Sequence, residues 1–460
     1  MEAAGAWQPA PRRRRGPAAP RHGTSPAGTA RSCCCAWASS QWSSRDAARE
    51  VMRTHDAALA TRPQTATVRA LTRGGLGIVF APHGERWRQL RKLCVFASLS
   101  SSPSGSRPVN VSSLLATYVA DAAVPVRAVV GDQISDRDAF LKNLDEGVRV
   151  AAGFTLADLF PSSRLARVFS AAARRAEAHN RAMHQFMDGV IDEHRERSAA
   201  GAGNEEEDIL DVLLRARKDG SLQVPLDMGT VRAVIIDLFS AGSETTAATL
   251  QWAMAELMRH PAALRRAQDE VRRVLAGRSR VVEEALPELR YLQLVLKETL
   301  RLHPPGPLLL PRACQEDTSG VLGFDVPAGA MVLVNAWAIG RDAASWGADA
   351  EEFRPERFED GGAAAGVDFR GTDFEFVPFG AGRRICPGLA LAVAVMELGL
   401  ASLLFHFDWE LPGGAAPELD MAEALGSRRG GRPTCGCTLL CGCPGTVWSR
   451  YETWVVLYGS

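Results

Sequence analysis

Net charge is what this sequence most plainly lacks: 53 lysines and arginines meet 53 aspartates and glutamates. Such a balance leaves no electrostatic footprint for nucleic acid, and no nucleic-acid partner is expected. A second absence is an apolar run near the N-terminus long enough to span a bilayer, which takes about 20 residues. Acid is missing there too, since Glu2 is the only acidic residue before Asp46 in a stretch rich in Arg, Pro, Ala and Ser. A disulfide framework is absent in its turn. Of the ten cysteines, Cys33, Cys34 and Cys35 are adjacent and Cys435, Cys437, Cys441 and Cys443 crowd the tail, a spacing that suits neither bridges nor common structural zinc sites. What remains is 46% hydrophobic residues over 460 positions, a globular chain at the upper end of single-core size.

The stretch that organises the rest runs Phe379-Gly380-Ala381-Gly382-Arg383-Arg384-Ile385-Cys386-Pro387-Gly388. It reads as a glycine-punctuated loop presenting one cysteine, followed by an unbroken apolar helix from about Leu389 to His406. Glycine lets a backbone pass close to a flat cofactor, because it has no side chain and tolerates unusual dihedrals. Cys386 precedes a helix N-terminus, where unpaired amides and the dipole favour a thiolate. A thiolate held there is a soft ligand of the kind that sits axial to haem iron. Arg384 is placed to meet an anionic cofactor edge. Taken alone, the loop is better read as a buried free cysteine in a tight turn, the usual fate of a lone Cys.

Other stretches ask for the same treatment. Trp87 and Arg91, four apart in a helical pattern from His83 to Lys92, could be a cation–π pair and nothing more. Thr230 to Met258 reads as one long helix centred on Ala241-Gly242-Ser243-Glu244-Thr245-Thr246, where a threonine competes for backbone carbonyls in mid-helix. Glu298 and Arg301 share a helical face, with Pro287 opening that helix, and Phe353-Arg354-Pro355-Glu356-Arg357-Phe358 lies downstream. His303-Pro304-Pro305-Gly306-Pro307 cannot continue the helix. It turns the chain into an extended stretch, Leu308 to Arg312, whose leucines read as core. Val321 to Ile339 reads as short strands around Pro327-Ala328-Gly329. Asp46 to His55 and Asp138 to about Arg197 carry helical periodicity, and a Ser/Pro/Gly tract from Ser98 to Arg107 interrupts it.

Together these motifs, in this order, resemble the cytochrome P-450 family, with the flavour of a plant microsomal enzyme of specialised metabolism. The resemblance covers about Ser43 to Leu425. It implies a mainly α fold, a helical bundle around a buried haem with a small β subdomain. It implies haem b ligated axially by Cys386, the only metal ligand, within a loop shaped by Phe379, Gly382 and Gly388. Trp87, Arg91, Arg312 and Arg384 would anchor the propionates. Thr245 would hydrogen-bond dioxygen while Glu244 helps relay protons, the catalytic pair. Glu298, Arg301 and Arg357 would form a buried structural triad that locks the loop region beside the haem. The implied reaction inserts one atom of O2 into a lipophilic small molecule, with electrons from NADPH through a flavoprotein reductase. The implied location is the cytoplasmic face of the endoplasmic reticulum membrane. The expected anchor is not among these residues, so a soluble form is the alternative.

Both ends depart from the family pattern. Residues 1–42 could pass for a transit peptide, with Arg12 to Arg15 as a basic patch. A better account is a shifted reading frame. Back-translating Thr29 to Ala38 with GC-rich codons and moving one base gives H-G-P-V-M-L-L-R-L-G, which resembles the family's first strands. The same operation on Arg429 to Pro444 gives a segment resembling its last strands. The expected organisation is thus an aberrant segment 1–42, a cytochrome P-450 domain 43–425 and an aberrant tail 426–460. Two other readings stand beside the monooxygenase. One is a catalytically inactive, frame-shifted relic. The other is an O2-independent haem-thiolate isomerase, which the presence of Thr245 argues against.

Overall fold

In the computed structural model, the structure describes residues 43–100, 143, 147, 171–199, 208–220, 222–410, 421 and 438–440. The expectations for residues 1–42, for 101–142 and for most of 426–460 lie outside the described residues. Helix α1 (Arg45–Arg49) starts at a Ser44 cap and widens into a π-helical turn over Glu50–Thr54, where the sequence pattern promised one regular helix. Next come α2 (Ala66–Thr72), capped by Thr65, and α3 (Glu85–Ser100). A 29-residue helix, α4 (Ala171–Ala199), precedes α5 (Ile209–Asp219). In α5 the Asp208 carboxylate accepts from the Asp211 amide and the Asp211 carboxylate accepts from the Asp208 amide, satisfying two donors that a helix start leaves bare.

Helix α6 (Met228–Arg259) begins where the Asp227 carboxylate accepts from the Thr230 amide. It ends before Pro261, whose ring cannot follow a helical residue but suits the first turn of α7 (Pro261–Val274). Pro287 does not open the next helix. It sits inside a 3-10 turn, Glu283–Glu288, and α8 runs Arg290–Leu302. Two short helices, α9 (Ala336–Ile339) and α10 (Ala343–Trp346), lead to α11 (Leu389–His406). Helix α11 is apolar all round, the signature of a helix enclosed by protein or lipid. Here it packs on α6, α7 and α8.

The β subdomain is made of antiparallel pairs. Strand β1 (Arg312–Ala313) lies against β4 (Met331–Val332), with Arg312 opposite Val332. Strand β2 (Thr318–Val321) turns through Leu322 and Gly323, both at positive φ, into β3 (Phe324–Val326). Thr61 bridges to Ala313, so the segment after α1 joins this sheet. Strand β5 (Asp408–Glu410) pairs with β6 (Thr438–Leu440).

Three apolar clusters result. One joins the C-terminal half of α6 to α7, α8 and α11. A second joins α3, α4 and α5 to the N-terminal half of α6. The third seats α1 on the β subdomain and on the run Phe374 to Ala381. Helix α6 therefore belongs to two cores, and the loop before Cys386 is anchored in the third.

Candidate functional site

The Cys386 loop is closed by its own backbone, because the Cys386 amide donates to the Phe379 carbonyl at 3.0 Å. Phe379 fixes the near end by packing its ring on Phe369, centroids 5.3 Å apart. Gly380 and Gly382 both take φ +69°, a conformation that glycine supplies at least cost. Gly382 has a further reason. A Cβ there would lie 2.1 Å from the Met52 carbonyl oxygen and 2.8 Å from the Asp56 carboxylate. Its missing side chain thus admits the end of the α1 region, not a cofactor. Gly388 differs, with nothing within 4 Å of a would-be Cβ.

The thiol of Cys386 is half-buried. Burial pushes its pKa up, and the Gly388 amide and the Arg91 guanidinium act in the opposite direction. The thiolate expected from the sequence is thus not favoured in the protein alone: the Gly388 amide at the helix start pulls toward it, but desolvation outweighs that pull. A coordinating metal deprotonates such a thiol outright.

Four arginines gather around this loop. The Arg384 guanidinium donates to the carbonyls of Ala60 at 2.6 Å and Ala81 at 2.5 Å and lies 4.1 Å from the Trp87 ring centroid. Burial, Arg312 and Arg91 together push its pKa down to about 9. Arg312 donates to Asp56 Oδ1 at 2.9 Å and to the Ala381 carbonyl at 3.0 Å. Arg91 lies over the Trp87 ring at 5.5 Å, its pKa lowered by burial and raised by Cys386. Its guanidinium makes no hydrogen bond to a described residue. Trp87 is buried and spends its one donor on the Ile78 carbonyl at 3.1 Å. It therefore meets Arg91 and Arg384 through its ring face.

The fourth arginine, Arg62, is not among the residues that the sequence motifs single out. It is buried and donates to the carbonyls of Val79, Leu310 and Pro311. Its pKa falls well below the ordinary value because of burial and the positive charges of Arg384 and Arg312. Arg62, Arg312 and Arg384 are all buried, and Asp56 is the one buried carboxylate paired within the group. The described residues thus leave a surplus of two buried positive charges. Buried charges call for partners. A flat cofactor with two carboxylates fits this surplus, as haem does.

Glu298, Arg301 and Arg357 come together with no more than 1% of any side chain exposed. Arg301 holds Glu298 through two bonds of 2.8 Å, and Arg357 adds a third at 2.9 Å. The remaining guanidinium protons reach the carbonyls of Gly340, Ala350, Glu352 and Asp349. Every prong has an acceptor.

In the middle of α6, Thr245 donates to the Ala241 carbonyl at 2.6 Å. Both residues are exposed while Phe239, Thr246 and Leu250 beside them are buried, so this face opens onto free space within a core helix. The Glu244 side chain lies outside the described residues. Two turns before Thr245, Asp237 accepts from the Ile78 amide at 2.7 Å and the Val79 amide at 2.9 Å through one oxygen. With Trp87 on the Ile78 carbonyl and Arg62 on the Val79 carbonyl, both peptide units of this strap are fully paired. Burial raises the Asp237 pKa to about 6 against the pull of the two amides. No local pattern announced Asp56, Arg62 or Asp237, because their partners lie far along the chain.

The stretch Leu308 to Arg312 departs from its reading. Leu309 sits at φ +49°, which breaks the extended run, and Leu308 and Leu310 are 38% and 43% exposed instead of core. Leu309 reaches the Cys386 loop, its Cδ1 3.9 Å from the Cβ position at Gly380.

Comparisons with known proteins follow the geometry. The family model described as Cytochrome P450 matches residues 97–431. The chain is 42% identical over 409 residues to desmethyl-deoxy-podophyllotoxin synthase of Sinopodophyllum hexandrum, covering 84% of this chain and 79% of that one. It is 41% identical over 418 residues to 5-epiaristolochene 1,3-dihydroxylase of Nicotiana tabacum, covering 84% and 81%. Among solved structures it is similar to a zebra fish cytochrome P450 with progesterone. The TM-score is 0.67 and the identity 26%, over 87% of this chain and 92% of that one.

Proposed function

The chain belongs to the cytochrome P450 family and is a monooxygenase of the plant type, and on that footing we propose that Cys386 is the axial ligand of haem b. The observation that supports this reading is the buried charge surplus beside the Cys386 loop, where Arg62, Arg312 and Arg384 face one carboxylate, Asp56. When bound, haem supplies the oxygen chemistry that no side chain can perform. One atom of O2 enters a C–H bond of a lipophilic substrate and the other leaves as water, with two electrons and two protons. In this reading the electrons come from NADPH through a flavoprotein reductase, and the protein works at the cytoplasmic face of the endoplasmic reticulum membrane.

The residues then divide the work. Arg91, Arg312 and Arg384 hold the propionates, and the Trp87 face positions two of these guanidiniums. Gly388 donates its amide to the Cys386 sulfur, and Gly382 lets the loop close on Met52 and Asp56. Phe379 pins the loop's start. Thr245 stands on the open face of α6 with a hydroxyl that can leave the Ala241 carbonyl to hold and pass a proton, helped by Glu244. Leu308 and Leu310 offer apolar surface to a lipophilic substrate. Glu298, Arg301 and Arg357 touch nothing that reacts and lock the segment Gly340 to Glu352 under the site.

The intact triad and the identity to curated relatives over 84% of the chain support an active enzyme over a relic. The deciding experiment is the carbon monoxide difference spectrum of the reduced protein, followed by turnover with NADPH and reductase. A Soret band in the thiolate position that disappears in Cys386→Ser is the expected result. A band of the histidine or neutral-thiol type rejects the assignment. Turnover that needs no O2 turns the reading to an isomerase.

A further inference from the structure

We propose that Asp56 is the internal counterion of the propionate pocket, a positioning residue that sets how many positive charges the pocket offers. The inference rests on the reading that haem sits on the Cys386 loop. Asp56 follows the α1 region, more than 320 positions from that loop, yet only 3% of it is exposed. Each of its oxygens has a separate task. Oδ1 accepts from Arg312 at 2.9 Å. Oδ2 accepts from the Arg383 amide at 2.8 Å and from its guanidinium at 3.2 Å. The close approach of this carboxylate is one reason that Gly382 carries no side chain.

One residue therefore grips both the arginine that meets the cofactor and the backbone of the loop that presents Cys386. Its charge matters as much as its reach. Burial lowers the pKa of all three arginines; repulsion from Arg384 and Arg312 adds to it at Arg62, repulsion from Arg312 and Arg91 adds to it at Arg384, and Asp56 works against it at Arg312. Without a carboxylate among them the pocket would hold three buried positive charges, and with Asp56 it holds a surplus of two. Two propionates then balance the fully buried charges, while the half-buried Arg91 and the exposed Arg383 at the rim are screened by solvent. A neutral side chain at position 56 would leave the loaded pocket positive, and a positive pocket favours the reduced, more electron-rich haem.

The test is the ferric/ferrous midpoint potential of the full chain carrying haem, measured together with the carbon monoxide difference spectrum. Asp56→Asn is expected to keep the thiolate band while the ferrous-to-ferric ratio rises about tenfold, which is ~59 mV for a one-electron couple. Arg62→Gln is expected to move the potential the opposite way, since it removes one of the surplus charges. Asp56→Glu keeps the charge while disturbing the hydrogen bonds, and its potential is expected to stay at the wild-type value. A purely structural role for Asp56 predicts no such order, with Glu and Asn equally disruptive. Thiolate-ligated Asp56→Asn and Arg62→Gln proteins with unchanged potentials overturn the proposal. Should Asp56→Asn not fold, Arg62→Gln and Asp56→Glu decide it by the same readout. A wild-type chain without a thiolate band rejects the haem reading itself, before any variant is compared.

Discussion

Arg301 grips Glu298 with two parallel bonds of 2.8 Å, Nε to Oε2 and Nη2 to Oε1, and neither side chain is exposed to solvent. Arg357 shares the same carboxylate from a 3-10 turn 59 positions away. A fork of this kind fixes orientation as well as distance. Removing the Glu298 charge leaves Arg301 buried with backbone carbonyls alone, and leaves Arg357 no charged partner but the longer contact to the Asp349 carboxylate at 3.5 Å. Breaking a buried pair in this way typically costs about 3–5 kcal/mol. Glu298→Gln is therefore expected to lower the thermal midpoint steeply and to abolish haem uptake. A Glu298→Gln protein that melts with the wild type would show that the remaining partners suffice for the two arginines.

The parts of the site that were legible in the sequence are those whose partners sit close along the chain. The loop from Phe379 to Gly388, the helix it leads into and the Glu298–Arg301 pair are each one local pattern, and their bounds match the structure within a residue or two. Pro287 shows the limit of that approach, since a proline suits a 3-10 turn as well as a helix start. Leu308 to Leu310 show another, because an apolar run reads as core whether it faces protein or an open site. Asp56, Arg62 and Asp237 could not be read at all. Each makes its contacts across roughly 20 to 330 positions, and a lone Asp or Arg carries no period.

The Thr245 hydroxyl has a test that separates chemistry from packing. Its bond to the Ala241 carbonyl is on an open face, so Thr245→Ala should change stability by less than about 0.5 kcal/mol. Proton delivery by a positioned group contributes on the order of 10²-fold or more. Product formed per NADPH consumed is expected to fall by about that factor, with the thiolate Soret band and the melting curve unchanged. Thr245→Ser, which keeps the hydroxyl, should recover most of the coupling. Equal coupling in Thr245→Ala and the wild type would remove Thr245 from the mechanism.

Asp237 gives a pH dependence with a definite sign. Its pKa is about 6 in the folded protein, against an ordinary 3.8. The folded state therefore holds this proton more tightly than the unfolded state. The stabilisation is complete below about pH 4 and is lost as pH rises through 6. At about 1.4 kcal/mol per pKa unit, the loss amounts to about 3 kcal/mol. Asp237→Asn can still accept from the Ile78 and Val79 amides but cannot ionise. Denaturant titrations from pH 4 to 7 are expected to show the wild type losing ground to Asp237→Asn by about that amount, mostly between pH 4 and 6. Two parallel curves would mean that Asp237 is solvated in the folded protein.

Gly382 and Gly388 offer the sharpest contrast, because the loop needs them for different reasons. A methyl at Gly382 would meet the Met52 carbonyl at 2.1 Å, and the residue would have to keep φ +69° as well. Backbone strain of that type costs about 1–3 kcal/mol before any clash is counted. The loop can escape only by moving off Asp56, which also unseats Arg312. Gly382→Ala is thus expected to destabilise the haem-free protein and to lose haem uptake along with it. At Gly388 the backbone is ordinary, φ −93° and ψ 16°, and a methyl would touch nothing within 4 Å. The haem-free Gly388→Ala protein should melt within about 0.5 kcal/mol of the wild type. Yet Gly388 donates to the Cys386 sulfur, so the empty space beside it adjoins the proposed haem ligand. A methyl there is expected to weaken haem uptake without weakening the fold. Separate measurement of melting and haem uptake decides the matter: a Gly388→Ala chain that binds haem like the wild type would move the cofactor to another side of the loop.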